Sequence, residues 1–100
     1  MKKSFADTES EHRRLVILLA LKESPDYTSN EYVLVDSIAH FGHRVSSDKL
    51  RTDLAWLDEQ GLVIAQQPGG VWVVTVTRRG DDVATGLATV PGVKRPRPEI

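Results

Sequence analysis

Apolar residues along this chain recur first at helical spacing and then in β-branched runs. Leu15, Leu18 and Leu19 mark one face of a first segment, while Val16, Ile17 and Ala20 spill onto others. Thr8-Glu9-Ser10-Glu11 just ahead has the capping-box form, so a helix from about Thr8 to Glu23 is expected. An apolar belt this wide calls for cover beyond the domain's own core, and a second copy of the chain is the expected cover. Ser24-Pro25-Asp26 breaks the segment. Thr28-Ser29-Asn30-Glu31 then offers a second capping box for a helix to about Phe41, with Leu34, Val35, Ile38 and Ala39 as its stripe and Gly42 as its stop.

The third helix carries the clearest signals. Ser46 is a good N-cap, Asp48 sits in the first turn, and Leu50, Leu54 and Leu57 repeat at helical spacing until Gly61. On a helical wheel, Asp48, Thr52, Ala55 and Glu59 point away from the leucines, and Lys49 and Arg51 flank that outward face. Leu62 to Gln66 and Val71 to Thr77 read as two strands joined through Gln67-Pro68-Gly69-Gly70, a hairpin turn. Thr77 can cap a last helix from Arg78 to about Gly86. The expected fold class is α+β, mainly α with a small β-hairpin, in the order α-α-α-β-β-α, with room for a short extra strand before the third helix.

Composition narrows the function classes. One hundred residues with 40% apolar content form one compact domain, too small for a core plus a deep catalytic cleft. Residues 1–88 are read as that domain and 89–100 as a Pro-rich basic tail, an extended appendage because three prolines and a glycine forbid a helix. The absence of cysteine removes disulfides, thiolate nucleophiles and Cys-based zinc sites, in keeping with a cytoplasmic location. The apolar run Leu15 to Leu21 is far shorter than the roughly 20 residues of a membrane span. A formal charge of −1 means that any affinity for nucleic acid must come from local patches. The cations gather at the C-terminal end, in Arg78, Arg79, Lys94, Arg95 and Arg97.

Enzymatic chemistry has no foothold in the pattern. Ser, His and Asp occur without the arrangement of a triad, and no Gly-rich phosphate loop precedes a helix. His40 and His43 have a spacing that can share a helix face, but Gly42 interrupts it and no third ligand is obvious, so they are read as surface histidines, with no metal or other cofactor. Trp56 and Trp72 are expected to pack between the third helix and the wing rather than to stack on bases.

Ser46-Ser47-Asp48-Lys49-Leu50-Arg51-Thr52-Asp53-Leu54, continuing to Leu57 and Gly61-Leu62-Val63, resembles the recognition helix of winged helix-turn-helix repressors of the DeoR, GntR and ArsR types. The DeoR-like pattern reads approximately Thr-Ile-Arg-Arg-Asp-Leu. This chain keeps the first arginine as Arg51 and the Asp-Leu pair, and places Thr52 where the second arginine stands. Val76-Thr77-Arg78-Arg79-Gly80 is similar to the Thr-x-x-Gly junction between wing and last helix in such regulators. From Glu11-His12-Arg13-Arg14-Leu15 through Asp53-Leu54-Ala55-Trp56-Leu57 to Val90-Pro91-Gly92-Val93, the chain resembles small winged-helix proteins of Mu-like phages and prophages.

The resemblance implies a non-enzymatic regulator that dimerises through its first and last helices and binds double-stranded DNA. Arg51 and Thr52 are then the base-reading candidates, since Arg can donate bidentately to guanine and Thr can meet a thymine methyl. Ser46, Ser47 and Lys49, with Arg44 from the preceding turn, are candidates for phosphate contacts. Gln67, Gly69 and Gly70 form an uncharged wing tip, and Lys94, Arg95 and Arg97 are a candidate minor-groove arm. Asp48, Asp53, Asp58 and Glu59 outnumber the cations of the third helix, which keeps open a second reading: a protein-interaction module whose acidic third helix docks a basic partner without binding DNA. A virion assembly role is a weaker third, for it gives the helix-hairpin order no purpose.

Overall fold

The computed structural model describes residues 2–97. Four helices and a three-stranded antiparallel sheet follow in the order α1 (Phe5–Lys22), β1 (Thr28–Asn30), α2 (Glu31–His40), α3 (Ser47–Glu59), β2 (Val63–Gln66), β3 (Val73–Val76) and α4 (Arg78–Thr85). This is the expected α+β class with winged-helix connectivity. The extra strand is present, but it lies ahead of α2 rather than directly ahead of α3.

Two helix starts differ from the sequence expectation, for local reasons. The first begins one turn early because Ser4 and Asp7 form a capping box of their own, the Ser4 hydroxyl accepting from the Asp7 N–H at 3.0 Å and the Asp7 carboxylate facing the Ser4 N–H at 3.4 Å. The second begins at Glu31, where Asn30 caps by accepting from the Val33 N–H at 3.0 Å. Thr28 to Asn30 are instead drawn into the sheet, Thr28 opposite Thr75 and Asn30 opposite Val73, with the two threonine hydroxyls 2.8 Å apart. By contrast, α3 and α4 follow expectation. Ser46 accepts from the Lys49 N–H and Thr77 from the Gly80 N–H, while Gly86 closes α4 in the left-handed conformation.

The central strand β3 pairs with β1 on one side and β2 on the other, so the hairpin is tied to the segment that enters α2. The strands are shorter than expected, and a six-residue connection, Gln67 to Trp72, replaces the four-residue turn. Behind the sheet, Ile17, Leu18 and Leu21 of α1 meet Leu34 and Ile38 of α2, Leu50, Leu54 and Leu57 of α3, and Val83 of α4, all buried. Gly80 lets α4 lie against the start of β2: a Cβ there would stand 2.0 Å from the Leu62 carbonyl oxygen.

The C-terminal segment corrects the expected division at residue 89. Val90 and Val93 are buried in the core cluster, the Lys94 N–H donates to the Glu11 carbonyl at 3.1 Å, and Pro96 returns to within 3.4 Å of a Cβ position on Gly86. Residues 86–96 therefore form a compact loop with adjacent ends, an Ω-loop. Its two valines supply the anchorage that proline content alone concealed. The part of the expected tail at 98–100 lies outside the described residues.

Candidate nucleic-acid interface

Capping and leucine burial together orient α3. Leu50, Leu54 and Leu57 are sealed into the core, and this turns Asp48, Lys49, Thr52 and Ala55 to solvent, while Ser47 is exposed as the first residue of the helix. Arg44 and Ser46 are exposed just before the helix and Ser47, Lys49 and Thr52 within its N-terminal half, with Lys49 and Arg51 on opposite sides of the outward face. Thr52 is exposed, and its hydroxyl donates to the Asp48 carbonyl at 3.1 Å. Gln67, Gly69 and Gly70 are exposed at the hairpin tip, and β2 packs along α3.

Arg51 is held rather than loose. Its Nε donates to Glu31 Oε1 at 2.8 Å, and the other carboxylate oxygen of Glu31 accepts from the Trp72 N–H at 2.8 Å. Glu31 is 1% exposed while Arg51 remains 39% exposed, so a buried carboxylate grips the inner edge of a guanidinium whose outer part reaches solvent. The Arg51 hydrogen bond, followed by that from Trp72, holds the Glu31 carboxyl below its ordinary range, against the upward push of burial. One carboxylate thereby fixes α3, the entry to α2 and the wing relative to one another. The sequence reading assigned Glu31 to a helix cap and missed this role.

A second buried carboxylate changes the electrostatic picture of α3. Asp53, counted with the acids that oppose DNA, is buried and bonded to Arg13 Nε and, at 3.3 Å, to Arg14 Nε. The acids that α3 exposes are Asp48, Asp58 and Glu59. The signal for Asp53 was partly legible: on the wheel it borders the leucine stripe next to Leu57, and an acid buried at the edge of an apolar stripe demands a cation.

Trp56 also departs from expectation. Instead of filling a gap between α3 and the wing, its ring lies under Arg14, whose guanidinium carbon is 4.2 Å from the centroid, and against Gly92 of the Ω-loop. Arg14 Nη1 completes the clamp by donating to the Gly92 carbonyl at 3.0 Å. Trp72 sits half-buried at the end of the wing connection. Lys94 through Arg97 are consequently led to the α1–α4 side, and the structure does not gather Lys94, Arg95 and Arg97 with the α3 candidates. His43, expected at the surface, is largely buried with Nδ1 3.6 Å from Glu9, and burial lowers its pKa.

No group of three or more His, Asp or Glu side chains among the described residues is arranged to hold a metal ion, and no described helix is long and apolar enough to cross a membrane.

Fold and surface thus define a small α+β domain of winged-helix form. The chain is 49% identical over 92 residues to the uncharacterized protein gp26 of Escherichia phage Mu, covering 92% of this chain and 95% of that protein. It is 36% identical over 97 residues to an uncharacterized protein of Haemophilus influenzae strain KW20/Rd, covering 96% and 94% respectively. The chain belongs to the family of small phage-related proteins that includes Mu gp26. No protein-family model and no solved structure matches it.

Proposed function

We propose that the protein binds double-stranded DNA sequence-specifically, as a dimeric transcriptional regulator of a phage or prophage. The observation that carries this reading is the N-terminal half of α3: a capped helix presenting Ser47, Lys49 and Thr52, with Arg51 oriented by Glu31, beside a hairpin wing. An oriented arginine suits base recognition, because less side-chain freedom is lost when both nitrogens meet a guanine edge. In this reading Lys49, Ser46, Ser47 and Arg44 contact phosphates and fix the register without specifying sequence. Withdrawal of Asp53 into the core removes one of the carboxylates that would repel the duplex. The phage-related family supplies the setting in which a small regulator is expected.

Selection of bound duplexes from random DNA, at low and moderate salt, tests the proposal. A palindromic consensus is the expected result, with half-sites spaced about one helical turn apart. Lys49→Ala should weaken binding evenly across sequences and flatten the salt dependence, whereas Arg51→Ala should relax preference at one base pair by roughly tenfold. The exposed Asp48, Asp58 and Glu59 favour a second reading, docking of α3 on a basic protein partner. Indifference of DNA retention to both substitutions, with partner capture intact, would select it.

A further inference from the structure

The Ω-loop carries charge of one sign. From Gly86 to Arg97 there is no acidic residue, while Lys94, Arg95 and Arg97 are cations and both arginines are exposed. The excess extends into α4. Residues 78–97 hold five cations, namely Arg78, Arg79, Lys94, Arg95 and Arg97, against Asp81 and Asp82, whereas residues 2–77 hold eight cations against eleven acids. Glu99 follows, outside the described residues. Acids on the bordering helices are already engaged. Glu11, whose carbonyl accepts from the Lys94 N–H, has its carboxylate on Lys3 at 2.8 Å, Asp7 faces the Ser4 N–H of its own cap, Glu9 faces His43, and Asp81 holds Lys22. Asp82 lines a cavity with Lys22 and Arg78. Among the described residues, no carboxylate forms an ion pair with Lys94, Arg95 or Arg97.

An apolar residue stands at the neck of this basic loop. Leu87 is 82% exposed, the most of any large apolar side chain among the described residues. Its backbone is fixed, because the Leu87 N–H donates to the Asp82 carbonyl at 2.8 Å and the Ala88 N–H to the same oxygen at 3.2 Å. Pro96 packs at Gly86, so the closed neck carries Leu87 on one limb and Arg95 and Arg97 on the other. The rest of the loop is anchored by the buried Val90 and Val93 and by Arg14 on the Gly92 carbonyl. A lone exposed leucine needs no explanation. One fixed beside cations without carboxylate partners offers another molecule apolar contact and charge together.

We propose that the Ω-loop docks a segment of another protein in which carboxylates flank an apolar side chain, Leu87 packing on the apolar group while Arg95 and Arg97 meet the carboxylates. Guanidinium forks match carboxylates bidentately. The central leucine selects a protein over a nucleic acid, because the phosphate edge of a duplex gives it nothing apolar to pack on. The loop also lies on the α1–α4 side, apart from the α3 candidates, so this surface goes beyond duplex binding and does not depend on it. A loop already seated loses little freedom on docking.

The full chain is titrated into a short fluorescein-labelled peptide with one leucine flanked by glutamates, and into the same peptide with glutamine for glutamate. Anisotropy reads affinity, and amide chemical shifts locate the contact. The acidic peptide should bind, the glutamine peptide at least about tenfold more weakly, with shifts centred on residues 86–97. Leu87→Ser and the double variant Arg95→Gln, Arg97→Gln alter exposed positions and should keep their helical circular dichroism. Each should weaken peptide binding by about tenfold. No binding at millimolar concentration, equal binding of the two peptides, shifts centred on α3, or indifference to both variants would each overturn the proposal. Loss of duplex retention in the arginine variant would also overturn it, by assigning those cations to nucleic acid. A wild type that takes the peptide but retains no selected duplex would sink the DNA reading and leave this one standing.

Discussion

Two buried carboxylates hold α3 from opposite sides, and they do so with different consequences. On the inner side, Asp53 is enclosed by Arg13 and Arg14 of α1, and Arg14 passes the constraint on to Trp56 and the Ω-loop. On the outer side, Glu31 shares its charge between a backbone N–H and a single arginine that stays partly in solvent. The first arrangement is closed and can only hold the fold together. The second leaves one partner able to touch another molecule. Similar chemistry therefore separates a structural ion pair from a poised one, and exposure of the cation marks the difference.

Breaking the inner arrangement should have the largest effect. Asp53→Ala leaves Arg13 buried without its partner and should cost about 3–5 kcal/mol, read from urea unfolding. A loss below about 1 kcal/mol would place the two sites on an equal footing. Gly92→Ala comes next. Its Cβ would stand 2.6 Å from the Trp56 ring, so the loop must lift or the ring must turn, at about 1–3 kcal/mol. Thermal unfolding measures that cost.

Glu31→Gln should be the mildest of the three at neutral pH, because the amide still accepts from Trp72 and Arg51 can turn to water. Its signature is pH dependence. The folded carboxyl lies below its ordinary value of 4.5, so its charge stabilises the fold fully above that pH. That contribution fades as pH falls from 4.5 through the lower folded value. Melting curves from pH 7 to 3 should show wild type and variant converging with acidification. The buried His43 also costs stability toward low pH, but both proteins carry it, so the difference isolates Glu31. Parallel curves would show that the Arg51 contact contributes no charge-dependent stability.

The two sides of α3 were also unequally legible in the sequence. Local rules located α3 and α4, since Ser46, Thr77 and Gly86 each act within one turn of their own position. They misplaced the starts of α1 and α2, where two capping patterns competed and long-range pairing of Thr28 with Thr75 decided the outcome. Exposure of Lys49 and Thr52 followed from the leucine stripe. The partners of Arg51 and Asp53 lie 20 and 40 residues away, and only the Asp53 position announced that some partner was required. The Ω-loop was hidden for another reason: proline content argues against helix but says nothing about whether Val90 and Val93 are buried.

The clamp on Trp56 gives the protein a built-in optical probe. An indole pressed between a guanidinium and a glycine has a polarity and a quenching environment set by whether the loop is seated. Substituting Trp72 by Phe would leave one fluorophore, whose emission maximum should move to the red when the loop lifts. Docking of residues 86–96 could then be followed in real time, with no label attached, while α1 or α3 engages whatever it binds.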